Sequence, residues 1–178
     1  MVRLPPPDRS TLDAEVDDLL SLATAPSGDT AETIAVMAHC PALVRPFLEW
    51  SMALHTEGVL PPRLHEIIAL RVAHNCGSGY EWDEHVGWAT RAGLTDSEIA
   101  AVAGDPQQWP PTEATVIAAV DELHVERDLT VPTLQALRDR MDDPWVVELI
   151  LVVGQYTMLS MLSSATGSAA HRSRRARN

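Results

Sequence analysis

Apolar residues recur every three to four positions along most of the chain, which is the spacing of one face of an α-helix. Between Thr11 and Leu22, for example, Val16, Leu19 and Leu20 fall on one face. Pro, Thr and Gly punctuate these runs where helices usually begin and end. Runs that alternate apolar and polar residues between hairpin turns, as strands do, are scarce. The pattern predicts an all-α protein with eight or nine helices.

The same punctuation places the helix boundaries. Thr95 and Glu98 have the spacing of a capping box, which starts a helix. No repeat of fixed period and no second domain is visible, so residues 1–178 are interpreted as a single domain with loose ends at 1–9 and 167–178. The predicted helices cover residues 11–22, 30–38, 41–55, 62–76, 80–92, 96–103, 112–127, 132–141 and 144–164, with a loop at 106–111.

Composition narrows the functional classes. The 178 residues carry 25 acidic and 13 basic side chains and a formal net charge of -12, and every basic residue is Arg. Without Lys, a Schiff-base lysine, a lysine-linked pyridoxal phosphate and a phosphate-loop lysine are all excluded. An acidic chain is also a poor partner for nucleic acid, whose phosphates need basic residues. We expect a small-molecule substrate, no nucleic acid and no membrane partner.

The number of cysteines and the hydropathy of the sequence predict the cellular location of the protein. Cys40 and Cys76 are too few for a disulfide framework. The first residues show no secretory signal pattern. The most apolar stretch, 145–162, contains Glu148 and Gln155, so it is interpreted as a buried helix rather than a membrane span. We therefore expect a cytoplasmic protein with reduced thiols and no disulfide between its two cysteines.

Metal and thiol chemistry are tested first in the segment 64–95, where chemically active residues concentrate. His65 and Glu66 begin a zinc-protease motif, but position 69, where the second His should stand, is Ala. A lone Cys in an apolar helix is usually inert. We predict no metal site and no cofactor, and keep a metal only as a minor alternative. That alternative has no recognised ligand spacing and consists of His74, Cys76 and His85.

Acid/base chemistry fits this segment better. Glu81, Trp82 and His85 share one helical face, since they lie three and four positions apart. Glu66 lies on the preceding helix, and a helical hairpin turning at 76–79 would bring it opposite His85. A carboxylate beside an imidazole raises its basicity and fixes its tautomer. We predict a hydrogen-bonded Glu–His cluster here; the competing interpretation is an ordinary surface ion pair of Glu81 and His85.

The segment resembles the carboxymuconolactone decarboxylase family, whose superfamily also contains alkylhydroperoxidase D. The resemblance extends over roughly 35–165. It depends on Glu66 in the run LHEIIALRV, on Cys76-Gly77, Tyr80-Glu81-Trp82, His85 and Arg91-Ala92-Gly93-Leu94-Thr95, and on His39-Cys40-Pro41, Ala119-Val120-Asp121-Glu122-Leu123-His124 and Val153-Gly154-Gln155-Tyr156. It implies a compact, oligomeric helical bundle with a pocket near the Glu66 and His85 helices.

One departure from the family pattern separates the activities that the resemblance implies. The peroxidase branch carries Cys-x-x-Cys-x-x-x-His with an upstream Glu. Glu66 and His85 match that pattern, but the two cysteine positions are Ser78 and Glu81. A dithiol reaction needs its resolving cysteine, so disulfide-linked peroxide reduction is disfavoured. The decarboxylase branch, whose chemistry needs no cofactor, remains compatible.

The favoured function is therefore a cofactor-independent lyase or isomerase acting on a small carboxylate or lactone. His85 is the predicted general acid/base, and Glu66 and Glu81 orient it. The substrate side of the site is predicted to include Tyr80, Trp82, Arg71, as the holder of a substrate carboxylate, and Cys76. Two alternatives stay open: a thiol-dependent antioxidant protein that uses Cys76, and a non-catalytic oligomeric binding protein.

Overall fold

The computed structural model describes residues 3–23 and 30–168. Within these residues the chain is helical and contains no strand. Two short 3-10 helices, Arg9–Thr11 and Pro106–Gln108, accompany nine α-helices. The α-helices are α1 (Ala14–Leu22), α2 (Glu32–Met37), α3 (Pro41–Thr56), α4 (Pro62–Asn75), α5 (Gly79–Arg91), α6 (Asp96–Ala101), α7 (Pro111–Glu126), α8 (Val131–Arg138) and α9 (Asp143–Thr166).

Local sequence explains where these helices start. Five of them, α3, α4, α7, α8 and α9, have Pro in their first turn, where the missing amide proton is not needed. Ser78 caps α5 by accepting the amide of Glu81. The predicted capping box of α6 is confirmed: Thr95 accepts the Glu98 amide, and the Glu98 carboxylate accepts the Thr95 amide.

Helix α4 lies at the centre of the fold and packs against α5, α7 and α9. Every residue from 64 to 73 is buried. Its apolar side chains Ile67, Ile68 and Leu70 join those of α7 and α9, including Val116 and Leu149, in the main core. The polar residues of a helix buried on all sides are buried as well, and each must find a partner inside the protein. The candidate site consists of buried polar residues of α4 together with their partners on neighbouring helices.

Helix α9 has the length and composition of a membrane span, with a mean hydropathy of 1.6 over its most apolar window. More than half of that window is buried inside the fold. Val152, Tyr156 and Leu159 belong to the main core. The helix thus packs as the buried core helix that the sequence predicts, while its opposite face stays exposed. The cytoplasmic location remains a prediction.

The structure departs from the predicted boundaries near the N-terminus. Residues Arg9–Thr11 form a 3-10 turn capped by Asp8, so α1 begins at Ala14. The described part of the predicted loose end is also held in place, because the amides of Arg3 and Leu4 donate to the carbonyl of Thr166. The Asp8 side chain accepts a backbone amide that would otherwise be available to a helix. The spacing of apolar residues does not predict such local hydrogen bonds. The predicted loose ends at 1–2 and 169–178 lie outside the described residues.

Candidate active site

A carboxylate and an imidazole meet between α4 and α5. The short turn at 76–78 folds the two helices against each other, so that His85 on α5 faces Glu66 on α4. His85 Nδ1 lies 2.8 Å from Glu66 Oε2, and both residues are buried. The predicted hydrogen bond between these residues is confirmed. Because a carboxylate only accepts, Nδ1 carries the shared proton, and Nε2 is the ring nitrogen directed away from the pair.

The charges around His85 decide its protonation. Burial by itself lowers the pKa of His85, because it disfavours the charged ring. The carboxylate of Glu66, through its charge and its hydrogen bond, and the charge of Glu81 act in the opposite direction. The net result is a pKa raised above the ordinary value of histidine. The imidazolium form is therefore stabilised inside the fold.

The two residues that precede Trp82 face α2. The Tyr80 hydroxyl accepts the amide of Glu32 at 2.7 Å, and Thr33 Oγ1 donates to Glu81 Oε1 at 3.2 Å. Burial raises the pKa of Tyr80, so its phenol stays protonated. Both residues are buried. Tyr80 and Glu81 thus tie α5 to α2, and Glu81 acts on His85 through its charge.

Tyr156 of α9 is the aromatic residue that packs against His85. Its ring centroid lies 4.5 Å from that of His85, nearly perpendicular to it. Trp82, predicted on the substrate side of the site, has its ring centroid 6.5 Å from that of His74. Tyr156 belongs to the motifs that resemble the family, but the sequence predicts no role for it. Its contact with His85 depends on how α9 packs, which local spacing does not reveal.

Two further histidines complete the cluster. His65 is buried, and its Nε2 lies 2.9 Å from the hydroxyl of Tyr156. Burial lowers the pKa of His65 to about 3, helped by the charges of His55 and His85, so this ring is neutral at neutral pH. Burial and the carboxylates of Glu66 and Glu81 raise the pKa of Tyr156 well above its ordinary range.

His55, near the end of α3, forms the solvent-facing edge of the cluster. Its side chain is 35% exposed, and its Nε2 lies 3.8 Å from Glu66 Oε1. Its ring centroid is 4.3 Å from that of His65. His55 Nδ1 is 3.0 Å from the carbonyl of Ser51, one turn earlier. The cluster therefore extends from the surface at His55 through Glu66 to the buried His85. His55 is not among the site residues predicted from the sequence.

Arg71, predicted to hold a substrate carboxylate, is bound elsewhere. Its guanidinium makes two 2.6 Å hydrogen bonds to the carboxylate of Asp121 on α7. It also donates to the carbonyls of Val102 and Gly104. These partners join α4, α7 and the end of α6. The predicted substrate contact loses its support, because the guanidinium already serves to pair a buried charge.

The surroundings of Cys76 do not activate its thiol. Burial raises the pKa of Cys76, which is the opposite of what a reactive thiolate needs. Its sulfur lies 3.9 Å from His124 Nδ1. Cys40 is exposed, and both residues are free thiols. The arrangement weakens the thiol-dependent alternative.

A cavity of about 620 Å³ opens between the end of α3 and the start of α9. It is separate from the Glu66–His85 pair and is lined by none of the predicted site residues. Glu148 lies in its wall, where one carboxylate oxygen accepts the amides of Val59 and Leu60. The wall consists of Trp50, Ala53, Leu54, Glu57, Gly58, Val59, Asp143, Pro144, Val147, Glu148 and Leu151.

Solved structures of other proteins share the fold of this chain. An uncharacterized peroxidase-related protein from Ralstonia eutropha JMP134, described as an alkylhydroperoxidase AhpD core, superposes with a TM-score of 0.81 and 16% identity, covering 93% of this chain and 90% of its own. The debrominase Bmp8 in complex with 2,3,4-tribromopyrrole gives a TM-score of 0.78 at 15% identity, covering 92% and 89%. The fold is thus alkylhydroperoxidase D-like.

One family model matches part of the sequence. The model of the carboxymuconolactone decarboxylase family matches residues 41–121, which include α4 and α5 with Glu66 and His85. This match agrees with the resemblance that the sequence motifs indicate, and Ser78 and Glu81 stand where the peroxidase branch carries its two redox cysteines. No curated protein matches the chain.

Proposed function

We propose that the protein is an acid/base lyase or isomerase that moves a proton to or from carbon in a small carboxylate or lactone, without a redox cofactor. The observation that carries the proposal is the buried hydrogen bond of His85 Nδ1 to Glu66 Oε2. It fixes the tautomer and the orientation of the ring, as a positioned general acid/base requires. The family match over residues 41–121 supports the same class of reaction.

A decarboxylation at this site would proceed through a carbanion that His85 protonates. The bond between the carboxylate carbon and the lactone ring breaks, and its electron pair stays on the ring carbon, delocalised into the lactone carbonyl. Carbon dioxide leaves, and Nε2–H of His85 donates its proton to that carbon. The imidazole then regains a proton from water. Glu66 holds the ring throughout, and Glu81 stabilises its positive charge.

Access to this pair is proposed from the side of His55. Glu66 and His85 are only 4% and 6% exposed, whereas the His55 side chain stands at the surface next to Glu66. Trp88, whose ring centroid lies 6.4 Å from that of His55, stands on the same exposed side. A small substrate fits this entrance better than a polymer, because the acid/base pair lies below the surface.

The test is a panel of small unsaturated lactone carboxylates and open-chain unsaturated acids incubated in D₂O. Carbon dioxide release and deuterium incorporation at carbon are followed by NMR. We expect turnover of at least one member, and His85→Gln should lower its rate by about 10²–10⁴-fold. Glu66→Gln should cost less, because the amide keeps the shape and part of the hydrogen bonding.

Matched controls are His74→Gln and Glu98→Gln, which remove one imidazole and one carboxylate outside the cluster. Both should keep the wild-type rate. Thermal unfolding of every variant separates a lost reaction from a lost fold. Equal rates for His85→Gln and the wild type would refute the proposal, and an unreactive panel would refute the proposed substrate class.

A further inference from the structure

The incomplete zinc-protease motif acquires its second histidine from another helix. In sequence, His65 and Glu66 lack a partner at position 69, which is Ala. In the structure, His55 of α3 approaches both residues. We propose that His55, His65 and Glu66 form a binding site for one divalent transition-metal cation of the Zn²⁺ type. This site revises the expectation of no metal that the sequence produced.

The ligand atoms of His55, His65 and Glu66 lie close enough together for one cation to bind all three. One ligand atom from each of the three residues lies within 4.8 Å of the other two. His55 Nε2 and Glu66 Oε1 are 3.8 Å apart. Ligands placed about 2.0–2.1 Å from a tetrahedral zinc are roughly 3.4 Å from one another. To bind the cation, the ligand atoms therefore need to approach one another by at most about 1.4 Å.

Each proposed ligand is also held by a second contact, which is typical of protein metal sites. His55 Nδ1 lies 3.0 Å from the Ser51 carbonyl. Glu66 uses Oε2 for its hydrogen bond to His85 and keeps Oε1 for the cation. His65 Nε2 contacts the hydroxyl of Tyr156. These contacts restrict the orientation of the three side chains, and His65 and Glu66 are buried.

The donor set determines the kind of cation. Two imidazoles and one carboxylate suit Zn²⁺ and neighbouring first-row metals, whereas Mg²⁺ and Ca²⁺ prefer oxygen ligands alone. Three protein ligands leave a fourth position open, as in catalytic zinc sites of the His₂Glu type. The exposed edge of His55 places the cluster within reach of solvent.

An open coordination position would give the substrate carboxylate a cationic partner. Arg71, the residue expected to fill that role, is bound to Asp121. A cation beside Glu66 would hold an anionic substrate next to His85. Glu66 would then bind the cation with Oε1 and hold His85 for proton transfer with Oε2. The binding site depends on its own geometry; only this role toward the substrate rests on the proposed function.

The experiment measures metal binding directly and needs no substrate. The full-length protein is treated with a chelator and titrated with Zn²⁺ by calorimetry, and Co²⁺ is added in parallel because its visible spectrum reports the coordination geometry. We expect one equivalent of Zn²⁺ to bind and Mg²⁺ not to compete. His55→Ala and His65→Ala should each weaken binding by at least about 10–100-fold, the loss typical of removing even a supporting contact.

The control variant is His39→Ala, which removes a histidine outside the cluster and should bind as the wild type does. His55 is partly exposed, so His55→Ala should fold even if the buried His65→Ala does not. Wild-type protein that binds no Zn²⁺ at 100-fold excess, or that binds equally well without His55, would overturn the proposal. These results are independent of the rates in D₂O, which test the proposed function alone.

Discussion

The polar residues of α4 show how burial selects partners at the scale of single residues. His65, Glu66 and Arg71 are buried in the centre of the fold, and each is matched by a group from a different helix. Arg71 forms a bidentate pair with Asp121, which has the geometry of a structural ion pair. Glu66 faces two histidines with its two oxygens. The second arrangement brings several titratable groups together, which is typical of functional sites.

Cys76 should react slowly with alkylating reagents. Burial raises the pKa of its thiol, so less thiolate is present at neutral pH than for an ordinary cysteine. Iodoacetamide at pH 7 should modify the exposed Cys40 first, and the labelling of Cys76 should increase as the pH rises toward its raised pKa. Mass spectrometry of digested protein measures both rates, with Cys40→Ser as the control.

Fast labelling of Cys76, or a sulfenic acid on Cys76 at low peroxide concentration, would contradict the predicted slow reaction of this thiol. Either result would favour the thiol-dependent alternative.

At this scale the sequence identified the residues that are close along the chain. Glu66 and His85 lie on neighbouring helices joined by a short turn, so helical periodicity was enough to place them together. The sequence did not predict His55 and Tyr156 as parts of the site, because they lie on α3 and α9. Tyr156 is 91 residues away from His65. Such contacts depend on how helices pack, which periodicity does not determine.

At the scale of elements, the junction between α3, α4 and α9 depends on a glycine. An added Cβ at Gly58 would collide with the carboxylate of Glu148 and would lie 2.8 Å from the Leu54 carbonyl. Glu148 cannot move freely, because it accepts the amides of Val59 and Leu60. The close approach therefore fixes the loop that leads into α4.

Gly58→Ala should lower the free energy of unfolding by about 1–3 kcal/mol, the usual cost of overpacking. Denaturant titration measures it. Gly79→Ala is the control, because an added Cβ there meets nothing within 4 Å and the φ of Gly79 is ordinary. Equal stability of Gly58→Ala and the wild type would show that the loop and Glu148 adjust without strain.

The start of α6 offers a prediction about pH. Hydrogen bonds from Arg63 and from Thr95 hold the pKa of Glu98 at about 2, below its ordinary value of 4.5. A lowered carboxyl pKa stabilises the fold above pH 4.5, and this contribution is lost as the pH falls from 4.5 toward 2. The Glu98 side chain is 35% exposed, so solvent screens the ion pair and the effect is small.

Glu98→Gln keeps a side chain that can complete the capping box and removes the ion pair with Arg63. It should destabilise the protein slightly at pH 7 and make no difference near pH 2. Thr95→Ala should cost about 0.5–2 kcal/mol at both pH values, since it removes the cap itself. Urea unfolding at the two pH values measures both. A Glu98→Gln effect that grows as the pH falls would contradict the assignment.

Helix starts were the best predicted features of the elements, since Pro, Ser and Thr determine them locally. Helix ends were less accurate: α6 was predicted to extend to 103 and ends at Ala101. The predicted loop at 106–111 contains the 3-10 turn Pro106–Gln108. Short turns of this kind depend on single side chains such as Asp105, which accepts the amide of Gln107.

At the scale of the whole molecule, α9 has two different faces. One is buried in the core, and the other presents a stripe of exposed apolar residues at helical spacing: Val147, Ile150, Leu151, Met158 and Met161. Leu43, Trp50 and Met52 of α3 add exposed apolar surface. Contiguous surfaces of this kind usually mark an interface between proteins.

We expect this surface to pair copies of the chain into a homo-oligomer. Sedimentation should show a species larger than the 19.4 kDa of one chain, and the double variant Ile150→Glu, Met158→Glu should dissociate it. Val125→Glu is the control, because Val125 is an exposed apolar residue of α7 and does not belong to the apolar surface of α3 and α9. A wild-type species with the mass of one chain across dilute concentrations would contradict the prediction.

The all-α class and the core position of α9 followed from hydrophobic periodicity, because burial imposes the same repeat on every helix. The central place of α4 did not follow from periodicity, because it depends on which helices pack around α4. Only its packing against α5, α7 and α9 buries His65, Glu66 and Arg71 together. The candidate site is thus a consequence of the whole fold.

The central claim is that the fold joins Glu66 and His85 through one shared proton. NMR of the ¹⁵N-labelled protein at neutral pH tests it most directly, because a proton on His85 Nδ1 bound to a carboxylate resonates far downfield. We predict this resonance in the wild type, its loss in His85→Gln and Glu66→Ala, and its persistence in His74→Gln. A spectrum without it, or one that keeps it after His85→Gln, would contradict the account.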